Sequence, residues 1–264
     1  MILGVMHAHS TYSDGEFTLP ELRKVLLEES CSFLCITDHA EYFDSQSMKH
    51  YISECLSLSD GGFLFVPGME YRCERNIHIL GYGATEPTLS TDPQAVIRHI
   101  CSQGAVPVIA HPPDYAFSWI ESFEILPAGI ETWNTKYDGR YAPRPETFAL
   151  LRSLQRRAPE LRAFYGQDLH WKNQYRGLRI SIGIDSLNRE RVLSALASGN
   201  FEGRKDSLKL PASGSLPDPL MREFAVLQAR SKRLRAFFKK SKQTLHRLGI
   251  RVPDAIRAQV RRIY

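Results

Sequence analysis

Long apolar runs, paired cysteines and internal repeats are all missing from this sequence, and each absence excludes something. No uninterrupted apolar stretch is long enough to cross a bilayer, so no transmembrane segment is expected. The N-terminal apolar stretch, Met1 to Met6, has neither a charged region before it nor a cleavage site after it, so it does not read as a signal peptide. The five cysteines, Cys31, Cys35, Cys55, Cys73 and Cys101, form an odd set with no CxxC pair. That usage predicts reduced thiols in a cytoplasmic protein. Without repeats or low-complexity tracts, solenoids and repeat arrays are excluded. What remains is ordinary for a folded chain: 264 residues, 43% apolar and 24% charged. That length allows one large α/β domain, or a domain with an appendage.

Charge is unevenly spread. Residues 207–264 hold 14 Lys/Arg against 3 Asp/Glu, a surplus of +11, whereas the first 206 residues sum to −6. The change predicts a boundary between an acidic body, 1–206, and a basic extension, 207–264. In the extension, Asp218 and Pro219 suit a helix start, and the helix should end near Leu248, before Gly249. Leu220, Phe224, Leu227, Leu234, Phe238, Leu245 and Leu248 recur at helical spacings. This helix over 219–248 can pack on the body or on a second copy of the chain. Its basic faces also suit an anionic surface, whether membrane or nucleic acid.

The body reads as strands alternating with helices. Met1–Met6 is an apolar strand that runs into His7-Ala8-His9 and then Ser13-Asp14-Gly15. Thr18 and Glu21 form a capping box for the first helix, with Leu19, Leu22, Val25 and Leu26 as its inner stripe. Strands are expected at 33–37, 63–67, 76–82, 106–110, 129–132, 161–165 and 179–184, with helices at 46–58, 92–103, 145–156 and 189–198. This alternation argues for a parallel β/α architecture, whose chemistry sits at the C-terminal ends of the strands. At or near those ends stand His7, His9, Asp14, Asp38-His39, Glu70, His111, Asp168 and His170, while His78 lies inside the strand Ile77-His78-Ile79-Leu80.

Each piece alone has a plain structural reading. Asp38 and Asp168 could cap helices, Glu70 could close a salt bridge, His111-Pro112 could be a turn, and His78 could be a core histidine. Together, nine acids and imidazoles recurring at successive strand ends are too costly to bury without cations.

His7-x-His9, Ser13-Asp14-Gly15, Thr37-Asp38-His39, Gly68-x-Glu70, Ile77-His78-Ile79-Leu80-Gly81, Ala110-His111-Pro112 and Gly166-x-Asp168-x-His170 resemble, in order, the motifs of the PHP (polymerase and histidinol phosphatase) phosphoesterases. The resemblance covers roughly residues 1–200. Asp14 stands where some members carry histidine, and Gln167 where serine is common. The resemblance implies a distorted seven-stranded β/α barrel holding a trinuclear centre, with the basic helix as an extension. It assigns His7, His9, Glu70 and Asp168 to one metal, Glu70, His78 and His111 to a second with Glu70 bridging, and Asp14, His39 and His170 to a third. Asp38 would orient an imidazole from behind.

Mixed N/O donors suit two or three divalent ions, Zn, Mn or Fe. Two such ions about 3.5–4 Å apart can hold a hydroxide at neutral pH and polarise a phosphoryl oxygen. The expected activity is therefore metal-dependent hydrolysis of a phosphate ester: a small phosphomonoester, a nucleotide or a short oligonucleotide. A nucleic-acid-binding or nuclease-type protein using the basic tail, or a metal hydrolase acting on a bond other than a phosphate ester, is the alternative. Asn134 should line the mouth, and Arg140 and Arg144, in the loop from Tyr137 to Pro145, are candidates for binding the substrate phosphate. As solvated loop charges they would have no such role.

Overall fold

The computed structural model describes residues 1–247. The chain builds one sheet that curls into a nearly closed barrel. Strand β1 (Ile2–Met6) lies parallel to β2 (Phe33–His39), with Gly4 opposite Phe33, and β2 lies parallel to β3 (Leu64–Arg72). These strands read as apolar runs because helices or core cover both of their faces. Then come β4 (His78–Tyr82), β5 (Val106–Ala110), β6 (Gly129–Asn134) and β7 (Arg162–Gly166). Past its end, β7 returns to β1: Gln167 N donates to Met6 O at 3.0 Å, His9 N donates to Leu169 O at 2.9 Å, and Ala8 bridges Leu169.

Two expectations are corrected. The sheet has ten strands rather than seven, in the order β10-β9-β8-β1-β2-β3-β4-β5-β6-β7. The three beyond the barrel are β8 (Arg179–Ile182), antiparallel to β1, and the hairpin of β9 (Phe201–Lys205) and β10 (Leu208–Pro211). Phe201, Gly203 and Lys205 face inward on alternate residues, a strand period obscured by the charges of Glu202, Arg204 and Lys205. The boundary at 206/207 falls in the turn of this hairpin, so the sheet continues to Pro211.

The second correction is direction. β4 runs antiparallel to both β3 and β5, whereas β1–β2–β3 and β5–β6–β7 are parallel. Residues 73–77 are too few for the crossover of about a dozen or more residues that a parallel pair needs. They instead reverse the chain tightly, with Arg75 and Asn76 at φ of 52° and 56°.

The helices follow their sequence signals. α1 (Leu19–Glu28) has the Thr18/Glu21 capping box and buries Leu19, Leu22 and Leu26. α2 (Ser45–Ser57) is capped by Asp44 and α3 (Pro93–Ser102) by Asp92. A short α4 (Phe117–Glu121), not foreseen, precedes α5 (Pro145–Gln155) and α6 (Arg189–Ser198). All five cysteines are free thiols, four of them buried.

The extension is the helix α7 (Asp218–Arg247). Its apolar stripe meets the body in its first half, where Phe224 is buried and Leu220 and Leu227 pack on the core, while Leu234 is exposed. Buried Gln228 continues the contact by donating to Asp138 O at 2.8 Å and Ala142 O at 2.5 Å. The Leu245 side chain, Leu248 and Gly249 lie outside what the structure describes. Among the described residues, no helix is long and apolar enough to cross a membrane.

Candidate metal centre

The polar strand exits converge because the backbone bends at three of them. His7 (φ 61°), His111 (φ 27°) and Asp168 (φ 51°) all adopt left-handed backbone. For a residue with a Cβ this costs on the order of 1–3 kcal/mol, a strain that concentrates where side chains must be re-aimed. His7 and Asp168 directly precede the bridge between Ala8 and Leu169, so the junction that closes the barrel also turns both side chains inward. β4, being antiparallel, starts where its neighbours finish, and so delivers His78 to the same rim. His78 is therefore not a core histidine.

Glu70 is the hub. Its Oε1 lies 2.6 Å from His78 Nδ1 and 3.2 Å from His111 Nε2. Its Oε2 lies 3.1 Å from His7 Nε2 and 3.0 Å from His9 Nε2. One carboxylate thus presents each oxygen to a different imidazole pair. Asp168 Oδ1 lies 3.7 Å from His7 Nε2, 3.6 Å from His9 Nε2 and 3.0 Å from His170 Nδ1, with Oδ2 3.6 Å from His111 Nε2. Asp14 Oδ1 faces His170 Nε2 at 3.3 Å and His9 Nδ1 and His39 Nε2 at 3.7 Å.

Among the described residues, three groups have ligand atoms all within 4.8 Å of one another: His9, Asp14, His39 and His170; His7, His9 and Asp168; and His7, Glu70 and His111. These groups hold eight of the nine expected ligands, and the ninth, His78, is in none of them but lies 2.6 Å from Glu70 Oε1. His7 and His9 each belong to two of the groups, whereas the resemblance gave each of them one.

Burial works against every charge here, and the neighbours decide the outcome. It pushes the Glu70 and Asp168 carboxyls up, yet His7 and the other imidazoles hold both well below the usual range. Burial pushes His9 down to about 3, with help from His170 and His7, so that ring is neutral. Burial opposes the protonation of His170 too, but Asp14 and Asp168 lift it to about 9. Against burial, the neighbouring carboxylates also raise His7 and His111, so without a cation these rings favour protonation, and a divalent ion would take the place of those protons.

The fit is tested by His9. Both its ring nitrogens, and His39 Nδ1, are buried without a hydrogen bond of acceptable geometry, although Glu70 Oε2 is near. Buried polar atoms are rarely left so. A cation between these groups would satisfy them.

Several surrounding roles differ from expectation. Asp38 does not orient an imidazole. Its buried carboxylate accepts from Ser10 N at 2.7 Å, Ser10 Oγ at 2.8 Å and Ser13 Oγ at 2.6 Å, and so fixes the turn that carries Asp14. The residue behind His7 is Glu131, which sequence reasoning missed. Its Oε1 lies 2.8 Å from His7 Nδ1, and its Oε2 accepts from His111 N and Asn134 Nδ2, each at 2.9 Å. The signal was an acid inside an apolar strand, Ile130-Glu131-Thr132-Trp133. Gly166 makes room for it, since a Cβ there would overlap Glu131 Oε1.

Asn134, expected to line the mouth, is instead fully buried, with Nδ2 also 3.3 Å from Asp168 Oδ2. Lys136, unforeseen, places its ammonium 3.1 Å from Asp168 Oδ1 and 3.2 Å from His170 Nε2. Arg144 is not available as a phosphate ligand: Nε pairs with Asp138 at 2.6 Å, Nη1 donates to Asp114 at 2.7 Å and Nη2 to Pro112 O at 2.9 Å. Two acids brought together by the barrel take up its fork, and it clamps the β6 exit loop to the β5 exit. Arg140 is half-buried over the Tyr141 ring, 5.5 Å from its centroid.

No family model matches the chain. A curated protein, the DNA polymerase/3′-5′ exonuclease PolX of Bacillus subtilis (strain 168), is 39% identical over 41 residues, which span 16% of this chain and 7% of that protein. Among solved structures, a two-domain protein from Bacteroides vulgatus containing a predicted PHP-like metal-dependent phosphoesterase superposes with a TM-score of 0.58. It is 18% identical, with 84% of this chain and 68% of that one covered. PsfC from Pseudomonas syringae matches with a TM-score of 0.52 at 14% identity over 87% of this chain and 99% of that one. An amidohydrolase from Chromobacterium violaceum, with bound sulfate and no metal, matches with a TM-score of 0.50 at 15% identity, covering 73% of this chain and 96% of that one. The chain has the PHP-type fold that its motifs resemble.

Proposed function

We propose that this chain is a metal-dependent phosphoesterase that hydrolyses a phosphate ester at a centre of two or three divalent ions. The observation that carries the reading is the division of Glu70, one oxygen facing His78 and His111 and the other facing His7 and His9. A carboxylate placed so suits a bridge between two cations. His7, His9 and Asp168 would complete the first position, His78 and His111 the second, and Asp14, His39 and His170 the third. When bound, such ions supply a nucleophilic hydroxide near neutral pH and neutralise phosphoryl charge. Zn, Mn and Fe all match the donors.

The protein's own groups then do the positioning. Glu131 fixes the His7 ring and the His111 backbone together, which sets the distance between the two halves of the site. Lys136 places a cation at the edge of the centre beside Asp168, where it can meet a phosphoryl oxygen. Asn134 holds Glu131 and Asp168 in register.

The substrate is a phosphomonoester, a nucleotide or a short oligonucleotide; the short match to an exonuclease keeps nucleic acid among them. A second reading, hydrolysis of an amide or lactone at the same centre, is favoured by the likeness to an amidohydrolase. The test is elemental analysis of the purified protein followed by turnover of phosphate mono- and diesters against amides and lactones, with Mn²⁺, Zn²⁺ or Fe²⁺ added. Phosphate release with stoichiometric metal is expected. Turnover confined to amides or lactones would replace the first reading with the second.

A further inference from the structure

The polar centre is bordered by exposed aromatic side chains, each set against one of its imidazoles. Tyr137, past the β6 exit, is 49% exposed, and its ring centroid lies 4.4 Å from that of His111. Trp171, past the β7 exit, is 38% exposed, with its ring 5.7 Å from that of His170. Tyr42, past the β2 exit, is 54% exposed, with its ring 6.3 Å from that of His39. Exposed aromatic residues scattered singly need no explanation, but three gathered at one mouth from three strand exits do.

Tyr137 and Trp171 are further linked through Lys136. Its ammonium lies 5.4 Å from the Tyr137 ring centroid and 5.7 Å from that of Trp171, while reaching Asp168 Oδ1 at 3.1 Å. Both rings therefore border the cation that the phosphoesterase reading sets beside a phosphoryl oxygen. Both residues are also fixed through their backbone. Tyr137 N donates to Asn134 Oδ1 at 3.3 Å, Tyr137 O accepts from Arg235 Nη1 at 2.7 Å, and Trp171 N donates to Gln174 Oε1 at 3.1 Å. The rings thus stand in place although much of each is uncovered, which lowers the cost of laying a flat partner on them.

We infer that Tyr137 and Trp171 form a stacking subsite, and that the substrate is a nucleotide whose base lies on one or both rings. The inference rests on the phosphoesterase reading for the phosphate and adds what sits next to it. A nucleobase lays a π face on an aromatic ring, a contact strong enough to select between substrates. A bare sugar presents hydroxyls, whose hydrogen bonds ring faces do not satisfy.

The test compares adenosine 5′- and 3′-monophosphate with ribose 5-phosphate on the metal-loaded full chain. The esters are alike, and only the nucleotides carry a base. At least one nucleotide should have a higher kcat/KM than the sugar phosphate. Trp171→Ala and Tyr137→Ala should each shrink that preference about fivefold or more, and Tyr137→Phe, which keeps the ring, should retain it. No preference for either nucleotide overturns the subsite. So does a preference unchanged in both alanine variants, even where all three esters lose efficiency, because the rings would then support only Lys136 or the sugar.

A second arm reads binding rather than turnover. Adenosine, which has no ester to hydrolyse, is titrated into the metal-loaded protein while tryptophan fluorescence is followed, with ribose as the control. Adenosine alone should quench the wild type, and Trp171→Phe should abolish the quench. No quench in the wild type, or one that survives Trp171→Phe, overturns the subsite. If the loaded protein hydrolyses no phosphate ester at all, the phosphoesterase reading fails, while the adenosine arm still decides the stacking subsite.

Discussion

The strand exits and the loop from 134 to 144 sit at the same end of the barrel, and both are polar, but they are fixed in different ways. The exits are fixed by the sheet. Glu70 is the seventh residue of a nine-residue strand paired on both sides, and its place follows from register: it lies opposite His39 on β2 and Leu80 on β4. The loop is fixed by partners far away in sequence. Arg144 is held by Asp114, and the loop backbone by Gln228 and Arg235 of α7. Ligands on strands can therefore be read from spacing, whereas loop side chains take roles that only tertiary neighbours decide.

The largest effect should come from Glu70, where the strand side of that comparison is most exposed to a single change. Glu70→Gln nearly preserves shape but removes the charge both halves of the site share. We expect kcat to fall about a thousandfold or more with the fold retained, measured by turnover and circular dichroism. Near-normal turnover would show that register alone does not make this residue the hub. Glu131→Gln should cost less, about 10–100-fold in metal affinity, because it acts through the His7 ring; competition with a chelator would measure it.

The loop side is tested by Arg144 and Arg140. Burial lifts the Asp138 carboxyl to about 6, while Arg144 pulls it down. A carboxyl raised in the fold is the reverse of the common case. Its ionisation disfavours the folded state, so stability falls as pH rises from about 4 toward 6. Arg144→Ala removes the opposing cation and extends that loss upward in pH. We expect it to destabilise by about 3 kcal/mol at pH 8 and clearly less at pH 5, read as the difference in Tm from wild type at the two pH values. A pH-independent difference would mean that Arg144 acts by packing. Arg140→Ala should leave stability within about 0.5 kcal/mol. That contrast would separate a clamp from a substrate contact within one loop.

Much of the molecule was legible beforehand. His7-x-His9 after an apolar run and Gly68-x-Glu70 at the end of another needed only strand periodicity. The capping box at Thr18 and Glu21 and the stop after α3 needed only local chemistry. The antiparallel β4 could have been read from the short link between Arg72 and His78, which admits no crossover. Glu131 could have been read from its presence in an apolar strand.

The remainder was not legible. The left-handed backbone of His7 and Asp168 stands where the barrel closes, at the Ala8–Leu169 bridge, which no local window contains. Lys136 gains its role only because β6 and β7 deliver it next to Asp168 and His170. The β9–β10 hairpin was hidden by its charges, and the diversion of Arg144 by the distance in sequence to Asp114.

On the proposed reading, Glu70 joins two cation positions. Electron paramagnetic resonance of the Mn²⁺-loaded protein, with metal content determined on the same sample, tests it most directly. We expect at least two Mn²⁺ per chain and the multiline signal of an exchange-coupled pair, lost in Glu70→Gln. A single isolated Mn²⁺ signal in the wild-type protein, or a coupled pair that survives Glu70→Gln, would contradict it.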